Sequence, residues 1–238
     1  MKKDVLFFVS AALILGSCSP KFYSPNTHNV PLLSEQGEVN LNVSGNGNQV
    51  EFQGAYAVTD GFAIQANGGL FIPSDLDNGD GGSAEFGEIG LGYFKPIAEN
   101  FVFETYALAG YGNVENHLVS TVEVNPGTTG KISANLYRFG IQPSFGYKSD
   151  YFSAAVSSRF VNVSYNNVDG NLIYEDKDQE DYLNANSSNF MIEPAITLRG
   201  GFERFKLQFQ YGYSINVTQS NFRQDNSHFT IGLNFNFK

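Results

Sequence analysis

The chain has 238 residues and a formal charge of −10, with 42% apolar residues, 22 Phe, 13 Tyr, 25 Gly and no Trp. It lacks the clustered Lys and Arg that phosphate neutralisation needs, which excludes nucleic acid as a partner. Outside the extreme N-terminus there is no run of about 18 apolar residues, so no transmembrane helix is expected.

Lys2 and Lys3 precede an apolar core over 5–15, which has the length of a signal h-region and is too short to span as a mature helix. Leu15-Gly16-Ser17-Cys18 follows and holds the only cysteine, so no internal disulfide can form. This stretch resembles the bacterial lipobox, in which small residues precede an invariant cysteine. The resemblance implies a lipoprotein signal peptide over 1–17 and lipidation of Cys18, as an N-acyl diglyceride cysteine carrying palmitate-type chains. The plainer reading is a secretory signal with a chance cysteine. Residues 18–37 read as a lipid-anchored, extended tether, because Pro20, Pro25 and Pro31 disfavour helix.

From residue 38 to 238 the pattern is alternation rather than helical period. Apolar residues alternate with polar ones or Gly over 39–43, 50–58, 62–70, 89–93 and 101–111, then over 137–147, 152–160, 190–198, 205–215 and 229–237. The spacing predicts about ten strands, most near the roughly 9–11 residues that cross a bilayer at a tilt. Pro143 and Pro194 lack a donor and mark weak points or bulges in the sixth and eighth strands.

Two features separate a membrane barrel from a soluble sandwich. In a membrane barrel the apolar face meets lipid and the polar face lines the interior. The polar face here carries Glu51, Glu88, Glu104 and Glu193 against Arg138, Arg159, Arg199 and Lys206. Four acids and four bases can pair inside a narrow barrel, where unpaired charge is costly. The connections also alternate after the first hairpin: 73–83, 113–131, 164–189 and 217–227 are long, while 59–61, 95–100, 148–150 and 200–204 are short. Long extracellular loops and short periplasmic turns are the barrel arrangement. An even strand count puts both chain ends on the turn side, where a lipid in the inner leaflet can reach.

The chain thus resembles the small bacterial outer-membrane β-barrel superfamily, the OmpX-like and related barrels. Its Asn- and Gly-rich strands behind a lipobox look like proteins of the Bacteroidetes group. The last strand, Phe229-Thr230-Ile231-Gly232-Leu233-Asn234-Phe235-Asn236-Phe237, resembles the signal read by the barrel-assembly machinery, although Lys238 follows the terminal aromatic. The resemblance implies an all-β antiparallel transmembrane barrel in the cell outer membrane. Its implied partners are outer-membrane lipid, lipopolysaccharide and the assembly machinery.

Some omptin-like barrels carry a protease site of Asp pairs and an Asp-His pair. Here Asp75, Asp77, Glu115 and His117 lie in loops predicted to face outward, where carboxylates are ordinarily just solvated. Lipid A-modifying barrels use His with Ser, and Ser227-His228 is the local candidate, but adjacent strand residues face opposite ways. The acidic stretch 75–82 does not fit an EF-hand, since Gly79 falls where a ligand is needed. The run 174–181 reads as solvated charge. A ten-stranded interior is narrow and filled by side chains, so little conductance is expected. The expectation is a non-enzymatic outer-membrane lipoprotein with no cofactor and a structural, surface-interaction or complex-subunit role. The alternatives are a barrel-embedded surface hydrolase and a narrow channel.

Overall fold

The computed structural model describes residues 19–72, 80–118 and 129–238. Cys18, the signal segment, Asp75 and Asp77 lie outside the described residues. Ten strands follow one another up and down: β1 (Val39–Gly45), β2 (Gln49–Ala57), β3 (Phe62–Phe71), β4 (Gly81–Ala98), β5 (Phe101–His117), β6 (Lys131–Lys148), β7 (Phe152–Gly170), β8 (Ser188–Gly201), β9 (Phe205–Tyr213) and β10 (Ser227–Phe237). Each pairs antiparallel with its neighbours. The ring closes where Val39 to Gly45 of β1 lie opposite Phe237 to Ile231 of β10. Closure leaves no sheet edge, which lipid demands of any spanning sheet.

The wall is inverted relative to a soluble protein. On β10, Phe229, Ile231 and Leu233 point outward, while His228, Thr230 and Asn234 are buried inside. On β4, Ile89 and Leu91 are 66% and 70% exposed, while Glu88 between the same strands is 3% exposed. Only a lipid surround makes such a surface favourable, at about 25 cal/mol per Å² of apolar area kept from water. Near the short turns, aromatic pairs such as Phe62 with Tyr93, and Phe101 with Phe145 and Tyr147, form part of an outer girdle.

The strands are not uniform. β4 to β7 run to 18, 17, 18 and 19 residues, well beyond the length expected for a bilayer-crossing strand. The reason is a change of polarity along one strand. In the lower part of β7, Phe152, Val156 and Phe160 face out, and Ser153, Ser157 and Arg159 face in. Above Phe160 the sense reverses: Val161, Val163 and Tyr165 are buried inside, while Asn162 and Ser164 face out. β6 reverses between Leu136 and Arg138. The barrel therefore rises out of the membrane as ordinary water-facing β-structure with an apolar core.

Pro143 and Pro194 sit where a ladder skips without changing register. Bridges between β6 and β7 are missing at Gln142 and Pro143. Those between β8 and the continuation of β9 are missing at Glu193 and Pro194, beside Ser214, before Ile215–Asn216 pairs again. The bulges lie elsewhere, at Pro96/Ala98 and Ser133/Asn135. The charged side chains of the acidic run are largely exposed, as the solvated reading expects, and the run is also ordered. Asp178 caps a short helix, α1 (Gln179–Ala185), accepting from the Glu180 and Asp181 N–H groups at 2.8 and 3.2 Å. Acidic residues in a first helical turn complement the helix dipole.

Candidate functional site

Residues 19–34, expected to be a linker outside the domain, run through the middle of the barrel. Phe22, Tyr23 and the stretch 26–33 are all below 9% exposed. The segment starts on the loop side. There the Lys21 N–H donates to Asn116 Oδ1 at 3.1 Å, and the Phe22 N–H to the Arg223 carbonyl at 2.9 Å. It ends on the turn side, where Lys148 Nζ donates to the Leu32 carbonyl at 2.9 Å. About a dozen extended residues reach roughly 40 Å, enough for the crossing. This corrects the expectation that both chain ends lie on the turn side: the first described residue, Ser19, is at the opposite mouth.

The lumen has three layers. At the loop mouth, Phe22 and Tyr23 join Tyr165, Leu118, Leu172, Leu183, Met191 and Phe222 in an apolar cap. Leu183 of α1 belongs to this cluster, which is why the loop after β7 folds over the opening. At the turn mouth, Val30, Leu32 and Leu33 pack on Val102, Ala155, Phe94 and Tyr106. Between the caps lies the charged layer.

Beyond its bridge at Tyr23, the extended segment must find partners for its own amides among side chains, since a buried unpaired group costs about 1–3 kcal/mol. Wall side chains supply them. Glu51 accepts the Thr27 N–H at 2.9 Å, and Gln53 Nε2 donates to the Thr27 carbonyl at 2.6 Å. Gln210 takes both main-chain groups of His28, at 2.6 and 2.9 Å. Gln142 donates to the Asn29 carbonyl at 2.7 Å, and Arg199 to the Val30 carbonyl at 2.7 Å. Glu104 accepts the Leu32 N–H at 3.1 Å. Leu32 sits at φ 53°, a left-handed conformation costly for a branched side chain, and is held there by Glu104 and Lys148.

The eight interior charges are all buried in the wall, at 0–4% exposure. They form two direct ion pairs rather than four. Arg138 grips Glu88 through Nε and Nη2 at 2.9 and 2.8 Å, and Arg159 Nη1 meets Glu193 at 3.2 Å. Residues of the threaded segment join the two pairs. Asn26 Oδ1 accepts from Arg138 Nη1 at 2.8 Å and from Arg159 Nη1 at 2.9 Å. The Tyr23 hydroxyl donates to Glu193 at 2.8 Å and accepts from Arg138 at 3.1 Å. Glu51, Glu104 and Arg199 serve the segment's backbone instead, and Lys206 donates to the Glu203 carbonyl at 3.1 Å. Arg138 reaches Glu88 across β5 because Gly110 lies opposite both.

His228 is inside the wall, 3.3 Å from both Glu51 Oε1 and Thr27 Oγ1 through its Nε2, whereas Ser227 points outward. Alternation along β10 aims the two side chains differently, although both residues border the loop-side cavity. His117 Nδ1 and Glu115 Oε1 stand 4.0 Å apart at the upper end of β5. Among the described residues no three His, Cys, Asp or Glu side chains gather as a metal site. On the loop side a cavity of ≈ 800 Å³ extends down to Asn26; no residue of 27–34 lines it.

No protein-family model matches the sequence, and no curated protein matches it. The chain is similar to several solved structures. A KdgM porin in complex with disordered oligogalacturonate has 7% identity and a TM-score of 0.39, over 84% of this chain and 99% of that one. LpxR from Salmonella typhimurium has 10% identity and a TM-score of 0.34, over 84% and 99%. OmpT, an outer membrane protein of Vibrio cholerae, has 8% identity and a TM-score of 0.27, over 84% and 96%.

Proposed function

We propose that this chain is an outer-membrane lipoprotein whose barrel is a sealed, non-enzymatic scaffold, serving as a surface-interaction or complex-subunit protein. The observation that carries the reading is the threaded segment. Tyr23 and Asn26 are part of the same hydrogen-bonded layer as Glu88, Arg138, Arg159 and Glu193. A permeation path would need that layer dismantled. Alternation along β10, which gives an exposed Ser227 beside a buried His228, supports a role without catalysis. Outer-membrane lipid and lipopolysaccharide fit the apolar outer face, and the barrel-assembly machinery fits the aromatic end of β10.

Planar-bilayer recording tests the sealed lumen. The full chain is expected to give no conductance steps, and a variant lacking residues 20–33 to give them. Stepwise conductance of the full chain in its native fold would refute the scaffold reading in favour of a channel.

A further inference from the structure

The direction of the threaded segment has a topological consequence. β1 begins at the turn mouth, where Val39 pairs with both Tyr56 and Phe237. Residues 34–22 lead back from there, through Glu104 and Lys148 near the turns to Arg223 and Asn116 near the loops. Tyr23 even bridges to Gln224 in the connection between β9 and β10. The mouth where Ser19 emerges is the one bearing the long connections, which in such barrels is the extracellular one.

We infer that the mature chain crosses the membrane once more than its ten strands, so that its N-terminal end stands at the cell surface and its C-terminus on the periplasmic side. This rests on the outer-membrane lipoprotein reading above and sharpens it. Ser19 is joined to Cys18 by one peptide bond, and consecutive Cα atoms are about 3.8 Å apart. Acyl chains on Cys18 therefore enter the outer leaflet from outside, among lipopolysaccharide, rather than the inner leaflet from beneath. A route exists for them. β1 and β2 are among the shortest strands, with 7 and 9 residues, and their turn at 46–48 makes a low point in the rim. Asn46 and Asn48 share the loop-side cavity with Ser19 and Pro20. The lipid passes over this low rim to reach the apolar outer wall.

The test uses the full chain in its own cells, fed labelled palmitate and carrying a C-terminal epitope. A specific protease site is inserted between Ser19 and Pro20, and the protease is added to intact cells. The expected result is that the epitope-bearing barrel loses its palmitate label without permeabilisation. Cleavage only after permeabilisation overturns the inference. Surface cleavage of a barrel that never carried palmitate upholds the topology and sinks the lipoprotein reading, so the two can fail separately. Should the insertion prevent folding, Lys21→Cys and Glu203→Cys are compared with a membrane-impermeant maleimide. Lys21 is part-exposed at the loop mouth, and Glu203 is exposed in the turn between β8 and β9. Labelling of Lys21→Cys on intact cells and of Glu203→Cys only after permeabilisation is expected; the reverse overturns the inference.

Discussion

Asn26 is the most informative single side chain in the lumen. Its Oδ1 is shared by two buried guanidinium groups, at 2.8 and 2.9 Å. Hydrogen bonds to charged groups contribute about 1.5–3 kcal/mol net each. Asn26→Ala removes both and leaves Arg138 and Arg159 facing each other across a gap. Water entering that gap recovers part of the loss, so the expected destabilisation is about 3 kcal/mol. Asn26→Asp keeps the acceptor beside both guanidinium groups but gives up the Nδ2 donor to the Thr27 carbonyl, and should cost about 1–2 kcal/mol, less than Asn26→Ala. The chain has no Trp, so indole fluorescence cannot report its unfolding. Unfolding by denaturant in lipid vesicles is followed instead by far-UV circular dichroism and by heat-modifiable gel mobility. A loss below about 0.5 kcal/mol for Asn26→Ala, or equal losses for Ala and Asp, would refute the idea that this residue couples the two ion pairs.

Gly110→Ala should destabilise by about 1–3 kcal/mol in the same assay. Its new Cβ would lie 2.3 Å from the Phe86 ring, which now rests 4.2 Å from the Arg138 guanidinium. Lys148→Met removes the cation that holds the Leu32 carbonyl, the Ser34 hydroxyl and Glu38. Amides of residues 30–36 should then exchange faster in deuterated buffer while the strands keep their protection. Asp178→Ala should cost α1 about 1 kcal/mol of helix stability, seen as faster proteolytic nicking within 171–187, with barrel unfolding unchanged.

The strands were legible because lipid on one side and a polar lumen on the other imprint a strict alternation on β1, β2, β9 and β10. The upper halves of β6 and β7 were not legible. Their alternation reverses phase where the wall leaves the membrane, so a reading that follows one apolar face stops near Phe160. The inward direction of the eight charges followed from their position in the alternation. Their partners did not, because pairing Glu88 with Arg138 depends on register across a third strand and on the missing side chain of Gly110. The threaded segment was the least legible part. An extended chain clasped by wall side chains needs no periodicity of its own, so Asn26-Thr27-His28-Asn29 reads as linker. Phe22, Tyr23, Val30, Leu32 and Leu33 were the available signal, being too apolar for a solvated tether.

The lumen also dictates an order of events during biogenesis. Thr27 and Thr230 touch at 3.0 Å across 203 positions of sequence, and Tyr23 meets Gln224 from a similar distance. A segment clasped by wall side chains, above all one acylated at Cys18 as proposed above, cannot be passed through a finished ring of side chains. It has to lie in the concave face of the growing sheet before β1 and β10 zip together. The seam is then a latch, and β10, the last of the ten strands in chain order, closes over a passenger that precedes all of them. Such distant pairings carry a large loop-closure cost and fold slowly, which makes this seam the step at which assistance from outside the chain would matter most.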